Sequence, residues 1–165
     1  LPQNNRVGDL DSFAIPFMMR QKGLSLQQIE PALCKEAGLK GLSGGYNDMR
    51  EITEQASRGN KNSQLAIDVL VWQARHWLGA SMFQMNGVDA IAFTAGIAEN
   101  NPQLRAQICE NLDNLGIKLD KQKNAVTKSN AEVEISAADS NVKIFVIPTN
   151  EELVIAREVK RFLLN

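Results

Sequence analysis

Histidine and tyrosine occur once each in the 165 residues, cysteine and tryptophan twice each, and aromatic residues make up only 5%. The two cysteines, Cys34 and Cys109, stand far apart without metal-ligand spacing, so they frame no zinc site and read as reduced, buried thiols of a cytosolic protein. Charge of one sign is also missing: 18 basic residues face 19 acidic ones with no basic block. Without such a block there is no electrostatic case for nucleic acid or an anionic membrane as partner, and a small molecule fits better. Every long apolar run is broken by charge before bilayer-spanning length, and no cleavable signal precedes the first helix, so a soluble cytoplasmic protein is expected. The chain opens at Leu1 with no initiator methionine and reads as an excised piece, one domain over residues 1–165.

Apolar spacing orders the rest. Helices are expected over Ser12 to Gln21 and Leu26 to Ala37, the latter capped by Ser25, before Gly38, Gly41, Gly44 and Gly45 mark a loop. Asn47 or Asp48 starts a helix to Ser57, and Ser63 opens the longest one, reaching Met85. That helix is apolar nearly all round, which predicts a sandwiched or subunit-facing position. Val88 to Phe93 and Val142 to Ile147 read as buried strands, each running into a helix, from Pro102 to Leu115 and after Pro148. Between them, Gly116 to Leu119 and Glu132 to Ile135 are short strand candidates. Two strand-to-helix units flanked by helices predict an α/β layered domain with ligands at the carboxyl ends of its strands.

The first of those junctions, Phe93 to Pro102, passes through Gly96. A helix start there would offer unpaired N–H groups to a phosphate, and a glycine admits close approach to the main chain. The plain alternative is an ordinary turn with Asn101 as N-cap and Pro102 at the first helical position. Similar pairs of readings attach elsewhere. Arg6 can grip phosphoryl oxygens with its planar cation, or pair with Asp9 or Asp11 at the surface. Asp48 can accept from a ribose hydroxyl or cap its helix; Met49 can pack on a flat ring, and Arg50 can stack on it or reach a phosphate. Thr149 and Glu152 fit a capping box, which leaves Glu151 free for a hard cation unless Asn150 caps instead. His76, on the long apolar helix, reads as buried or capping.

Four segments, Arg6 to Asp11, Gly41 to Arg50, Phe93 to Asn100 and Ile147 to Leu153, resemble in order and spacing the carboxyl-terminal half of the acetate kinase family, which includes propionate and butyrate kinases. The likeness implies a ribonuclease H-like, actin-like ATPase fold of the acetate and sugar kinase kind. It implies an ATP-dependent, reversible phosphorylation of acetate or another short carboxylate to an acyl phosphate, with ATP/ADP as substrate and magnesium as cofactor. Arg6 matches the arginine that steadies the transferring phosphoryl group. Asp48, Met49, Arg50 and the loop Gly96, Ile97, Ala98, Glu99 and Asn100 match nucleotide-contacting positions, and Glu151 matches a magnesium ligand. Where the family usually has a second glycine this chain has Ala98, whose β-carbon opposes a positive φ. The likeness further implies a homodimer, an amino-terminal domain and a catalytic histidine upstream of Leu1, and little or no turnover by this piece alone. A non-catalytic nucleotide-binding or dimerisation module of the same fold is the alternative.

Overall fold

The computed structural model describes residues 1–125 and 131–164, the side chain of Glu151 excepted. Two compact units divide the chain, Leu1–Gln84 and Met85–Asn165.

The first unit is helical. Its elements are α1 (Ala14–Lys22), α2 (Leu26–Cys34), α3 (Gly38–Ser43), α4 (Met49–Ser57) and α5 (Lys61–Gln84). Gln28 Oε1 accepts the Ser25 N–H at 2.9 Å, which closes the start of α2 as the sequence suggests. The glycine-rich stretch, expected as a loop, instead contains α3. Two facts reconcile glycine with helix here. A β-carbon at Gly41 would lie 2.8 Å from the Glu36 carbonyl oxygen, so packing demands its absence. Gly44 then takes the left-handed conformation that ends the helix, with the Gly45 N–H donating to the Lys40 carbonyl at 2.8 Å. Ile29, Leu39, Met49, Ile52, Ala66, Ile67 and Leu70 form the core of this unit. Only the first half of α5 is buried: Trp72, Trp77 and Phe83 are exposed, Phe83 at 90%. His76 is exposed as well, stacked on Trp72 with ring centres 5.5 Å apart and meeting Trp77 edge-on, which corrects the buried or capping role expected of it. Cys34 is likewise exposed, whereas Cys109 is buried as expected.

The second unit carries the sheet. After β1 (Ala90–Phe93) come α6 (Ala95–Glu99), α7 (Pro102–Cys109), β2 (Val133–Glu134), β3 (Lys143–Val146) and α8 (Glu151–Leu163). The strand order is β1-β3-β2. β1 and β3 are parallel, Ala90 opposite Lys143 and Phe93 opposite Val146, and β2 runs antiparallel to β3. The β1-to-β3 connection is therefore a crossover that carries helices, as a parallel pair requires. Alternate residues Ile91 and Phe93 in β1, and Ile144 and Val146 in β3, are buried, as are Leu104, Ile108, Ile117 and Ile135 of the same unit. The helix expected to reach Leu115 stops at Cys109: Glu110 is extended and Asn111 has φ +58°, so only a single 3-10 turn, Asp113–Leu115, follows. Gly116 to Leu119 contributes one isolated bridge, Leu119 to Ser136, in place of a strand. No described helix is long and apolar enough to cross a membrane.

Candidate functional site

In the first unit the segment around Arg6 is held by its main chain. Gln3 N–H donates to the Arg6 carbonyl at 3.1 Å and Val7 N–H to Leu33 at 3.0 Å, while Gln3 and Asn4 carbonyls accept from Leu39 and Lys40. Gly38, at φ +63°, backs directly onto this segment; a β-carbon there would fall 2.5 Å from the Arg6 carbonyl oxygen. The guanidinium itself is exposed and takes no hydrogen-bond or ion-pair partner among the described residues, so the surface pair with Asp9 or Asp11 does not form. Asp9 Oδ2 accepts from the Leu1 ammonium at 2.9 Å and from the Trp77 indole at 3.1 Å, and these two donors, in that order, hold its carboxyl below the usual range. Asp11 Oδ1 accepts the Phe13 N–H at the entry to α1. Val7 and Asp9 line a cavity of about 320 Å³ with Gly38, Gly41, Val69 and Gln73; Arg6 does not.

Asp48 performs the capping role. Its Oδ1 accepts the Arg50 N–H at 2.8 Å, and its carboxylate also pairs with the Arg50 guanidinium, Oδ2 to Nη2 at 2.5 Å. The Arg50 side chain beside it, followed by the Arg50 backbone N–H, pulls the Asp48 pKa down to about 2. Buried Ser43 braces the preceding turn, its hydroxyl accepting the Tyr46 N–H at 3.1 Å and donating to the Tyr46 carbonyl at 2.9 Å. Met49 is 7% exposed and belongs to the core, while the Arg50 side chain is 90% exposed. Of the three residues read as nucleotide contacts, Arg50 therefore presents the most surface.

In the second unit the run after β1 is more structured than sequence suggests. Thr94 leads into α6, whose first residue, Ala95, is left-handed at φ +64°; Ala98 lies further along the helix. Gly96 is open, with nothing within 4 Å of the place a β-carbon would occupy. Ile97 is half-buried. Asn100 closes α6, its backbone and side-chain N–H groups both donating to the Gly96 carbonyl, at 3.2 and 2.8 Å. Asn101 then caps α7 by accepting the Leu104 N–H at 2.9 Å, with Pro102 at its first position, as read from sequence. Glu99 reaches to the second junction, where its Oε1 accepts the Thr149 N–H and hydroxyl, each at 3.0 Å. Thr149 is thus not the cap of α8. Asn150 is, accepting the Leu153 N–H at 2.9 Å, which dissolves the capping box with Glu152.

Two residues that motif reading passed over organise this loop. Arg105 is wholly buried and donates to the carbonyls of Ala98 and Glu99; Asn124, also buried, accepts from it and donates to the Pro102 carbonyl at 2.8 Å. The signal was present: Arg105 shares the α7 face of Leu104, Ile108 and Cys109, a phase where a solvated cation does not belong.

Glu151 opens α8, but its side chain lies outside the described residues. Among the described residues no three His, Cys, Asp or Glu side chains are grouped to hold a metal. Asp9, Asp11, Asp48 and Glu99, acids within the expected site motifs, each already accept internal donors. The described side chains thus supply no ready donor set for magnesium.

A parallel strand pair with helix-bearing junctions at both carboxyl ends makes the second unit an α/β layer, and superposition on solved acetate kinases gives the chain their actin-like ATPase class of fold. The Acetokinase family matches residues 3–157, and the chain belongs to that family. It is 44% identical over 163 residues to an acetate kinase of Heliobacterium modesticaldum and 40% identical over 163 residues to one of Methanosarcina thermophila, covering 99% of this chain in each case. It spans 40% of the length of each of these relatives. Among solved structures, the acetate kinase of Porphyromonas gingivalis superposes with a TM-score of 0.89 at 32% identity, covering 99% of this chain and 41% of that one. A propionate kinase from Francisella tularensis gives 0.84 at 37% identity, covering 96% and 40%.

Proposed function

We propose that the chain is the carboxyl-terminal, nucleotide-binding part of a cytoplasmic acetate kinase, which transfers the terminal phosphoryl group of ATP reversibly to acetate or a similar short carboxylate. The observation that carries this reading is the pair of junctions at the ends of β1 and β3, one with open Gly96 and the two tied by Glu99 and Thr149, in a chain matched to the Acetokinase family over residues 3–157. Phosphoryl transfer needs little covalent help from protein; it needs positioning and neutralised charge. Arg6, with its main chain fixed and its guanidinium uncommitted, holds the transferring group. Arg50, with Asp48 and Met49 behind it, and the loop Gly96 to Asn100 hold the nucleotide. When bound, magnesium supplies neutralisation of phosphate charge, and Glu151 is the residue assigned to it, on the family resemblance alone.

The isolated piece turns over little, because the acyl-binding groups lie in the remainder of the longer relatives. Calorimetry with magnesium-ADP tests the nucleotide site: saturable binding lost in Gly96→Arg supports it, and absence of binding by the wild-type chain refutes it. Assay of the same chain for acetyl phosphate formation tests the second claim, and ordinary enzymatic turnover refutes that. The exposed Trp72 and Phe83 of α5 favour self-association as well. Concentration-dependent dimerisation without ADP binding would leave a dimerisation module as the better description.

A further inference from the structure

Taking a guanidinium out of water forfeits strong hydration, so a wholly buried arginine persists only where hydrogen bonds replace it. Arg105 is such a residue, and its bonds run in two directions. Nη1 donates to the Ala98 carbonyl at 2.6 Å and to the Glu99 carbonyl at 2.8 Å, while Nε and Nη2 donate to the side-chain and main-chain oxygens of Asn124, both at 2.8 Å. Asn124 in turn donates to the Pro102 carbonyl at 2.8 Å. One planar cation therefore ties together the end of α6, the start of α7 and the short turn Lys123–Ala125. From Glu99 the connection continues, since its carboxylate accepts both donors of Thr149.

We propose that Arg105 is a positioning residue for the nucleotide loop: it fixes the Ala98 and Glu99 carbonyls and thereby aims the Glu99 carboxylate at Thr149, so that both strand-to-helix junctions are shaped before a ligand arrives. The proposal rests on the reading of Gly96 to Asn100 as a nucleotide site. Preorganisation lowers the ordering cost that binding would otherwise meet. Lysine cannot substitute, because a single ammonium lacks the rigid fork that serves acceptors on opposite sides at once.

The test uses the whole chain and a readout that needs no nucleotide. In Arg105→Lys, amide exchange at Asn100 and Thr149 is expected to accelerate by about tenfold or more. Exchange at Lys143 and Ile147, which donate to the carbonyls of Asp89 and Phe93, is expected to stay at the wild-type rate. Unchanged exchange at Asn100 and Thr149 overturns the proposal. If the variant does not fold, the wild-type chain decides: a clamped guanidinium gives separate Nη proton signals, and one averaged signal overturns the idea. Calorimetry with ADP alone is the second arm, where the dissociation constant is expected to rise about tenfold in Arg105→Lys. A folded variant with wild-type affinity overturns the link to the nucleotide. Wild-type chain that binds no ADP, while the exchange result holds, defeats the nucleotide reading and leaves Arg105 as the residue that shapes the loop.

Discussion

Glu99 and Thr149, fifty residues apart in sequence, are joined twice: one carboxylate oxygen accepts the backbone N–H and the hydroxyl of Thr149, each at 3.0 Å. The contact fastens the end of α6 to the turn that starts α8, so the junction after β1 and the junction after β3 behave as one unit. Glu99→Ala removes the acceptor for both donors, and a lost charge-assisted bond at a partly exposed site is expected to lower unfolding free energy by about 1 kcal/mol. Guanidinium unfolding followed by circular dichroism measures it; an unchanged midpoint would show that the contact stabilises nothing.

Asp48 gives a prediction with a definite pH window. Its folded-state pKa is about 2, below the ordinary carboxylate value, because Arg50 favours the ionised form. A group whose folded pKa is depressed contributes stability in full above its unfolded value and loses it as pH falls through the folded one. The contribution should therefore be constant above about pH 4 and fade toward pH 2. Asp48→Asn keeps a capping oxygen but cannot titrate, so its acid unfolding curve should be flatter across that window. Fluorescence of Trp72 and Trp77, which share the first unit with Asp48, reports the transition.

Gly38 meets two demands at once, a φ of +63° and a neighbouring main chain that leaves no room for a β-carbon. Gly38→Ala must therefore strain its own backbone and push the Arg6 segment away. A loss of more than about 1 kcal/mol in thermal unfolding is expected, since alanine does not adopt that conformation without strain. Arg6 and Val7 amide signals should move as well. If they stay in place while stability drops, the segment is not seated on Gly38 as described.

Local rules made much of this arrangement legible. Asp48 and Asn101 as caps, Pro102 at a first helical position and the presence of the two strands, each buried on one face only, follow from residue type and spacing, because each depends on neighbours within a few positions. The misreadings share a cause in partners distant along the chain. Thr149 was a plausible cap until Glu99, from another element, took its donors. Arg105 drew no reading at all, because the Ala98 and Glu99 carbonyls that hold it meet it only in the fold. Gly41 reads as a breaker, although close packing on the Glu36 carbonyl is what excludes a side chain there.

Ala95 carries the one conformational cost in the loop that sequence reasoning located elsewhere. A positive φ was weighed at Ala98, yet Ala98 is helical and the left-handed residue is Ala95, at φ +64°, where β1 turns into α6. A β-carbon in that conformation costs about 1–2 kcal/mol against the following carbonyl. Glycine removes the clash but gives back about 0.5–1 kcal/mol through the greater freedom of the unfolded chain. Ala95→Gly is therefore expected to raise stability by up to about 1.5 kcal/mol, the difference between those two effects. Because the native φ already suits glycine, the Glu99 to Thr149 contact and the Asn100 closure should survive, and Thr149 amide exchange should be unchanged. A variant less stable than the wild type would mean that the Ala95 methyl group makes packing contacts that outweigh its strain.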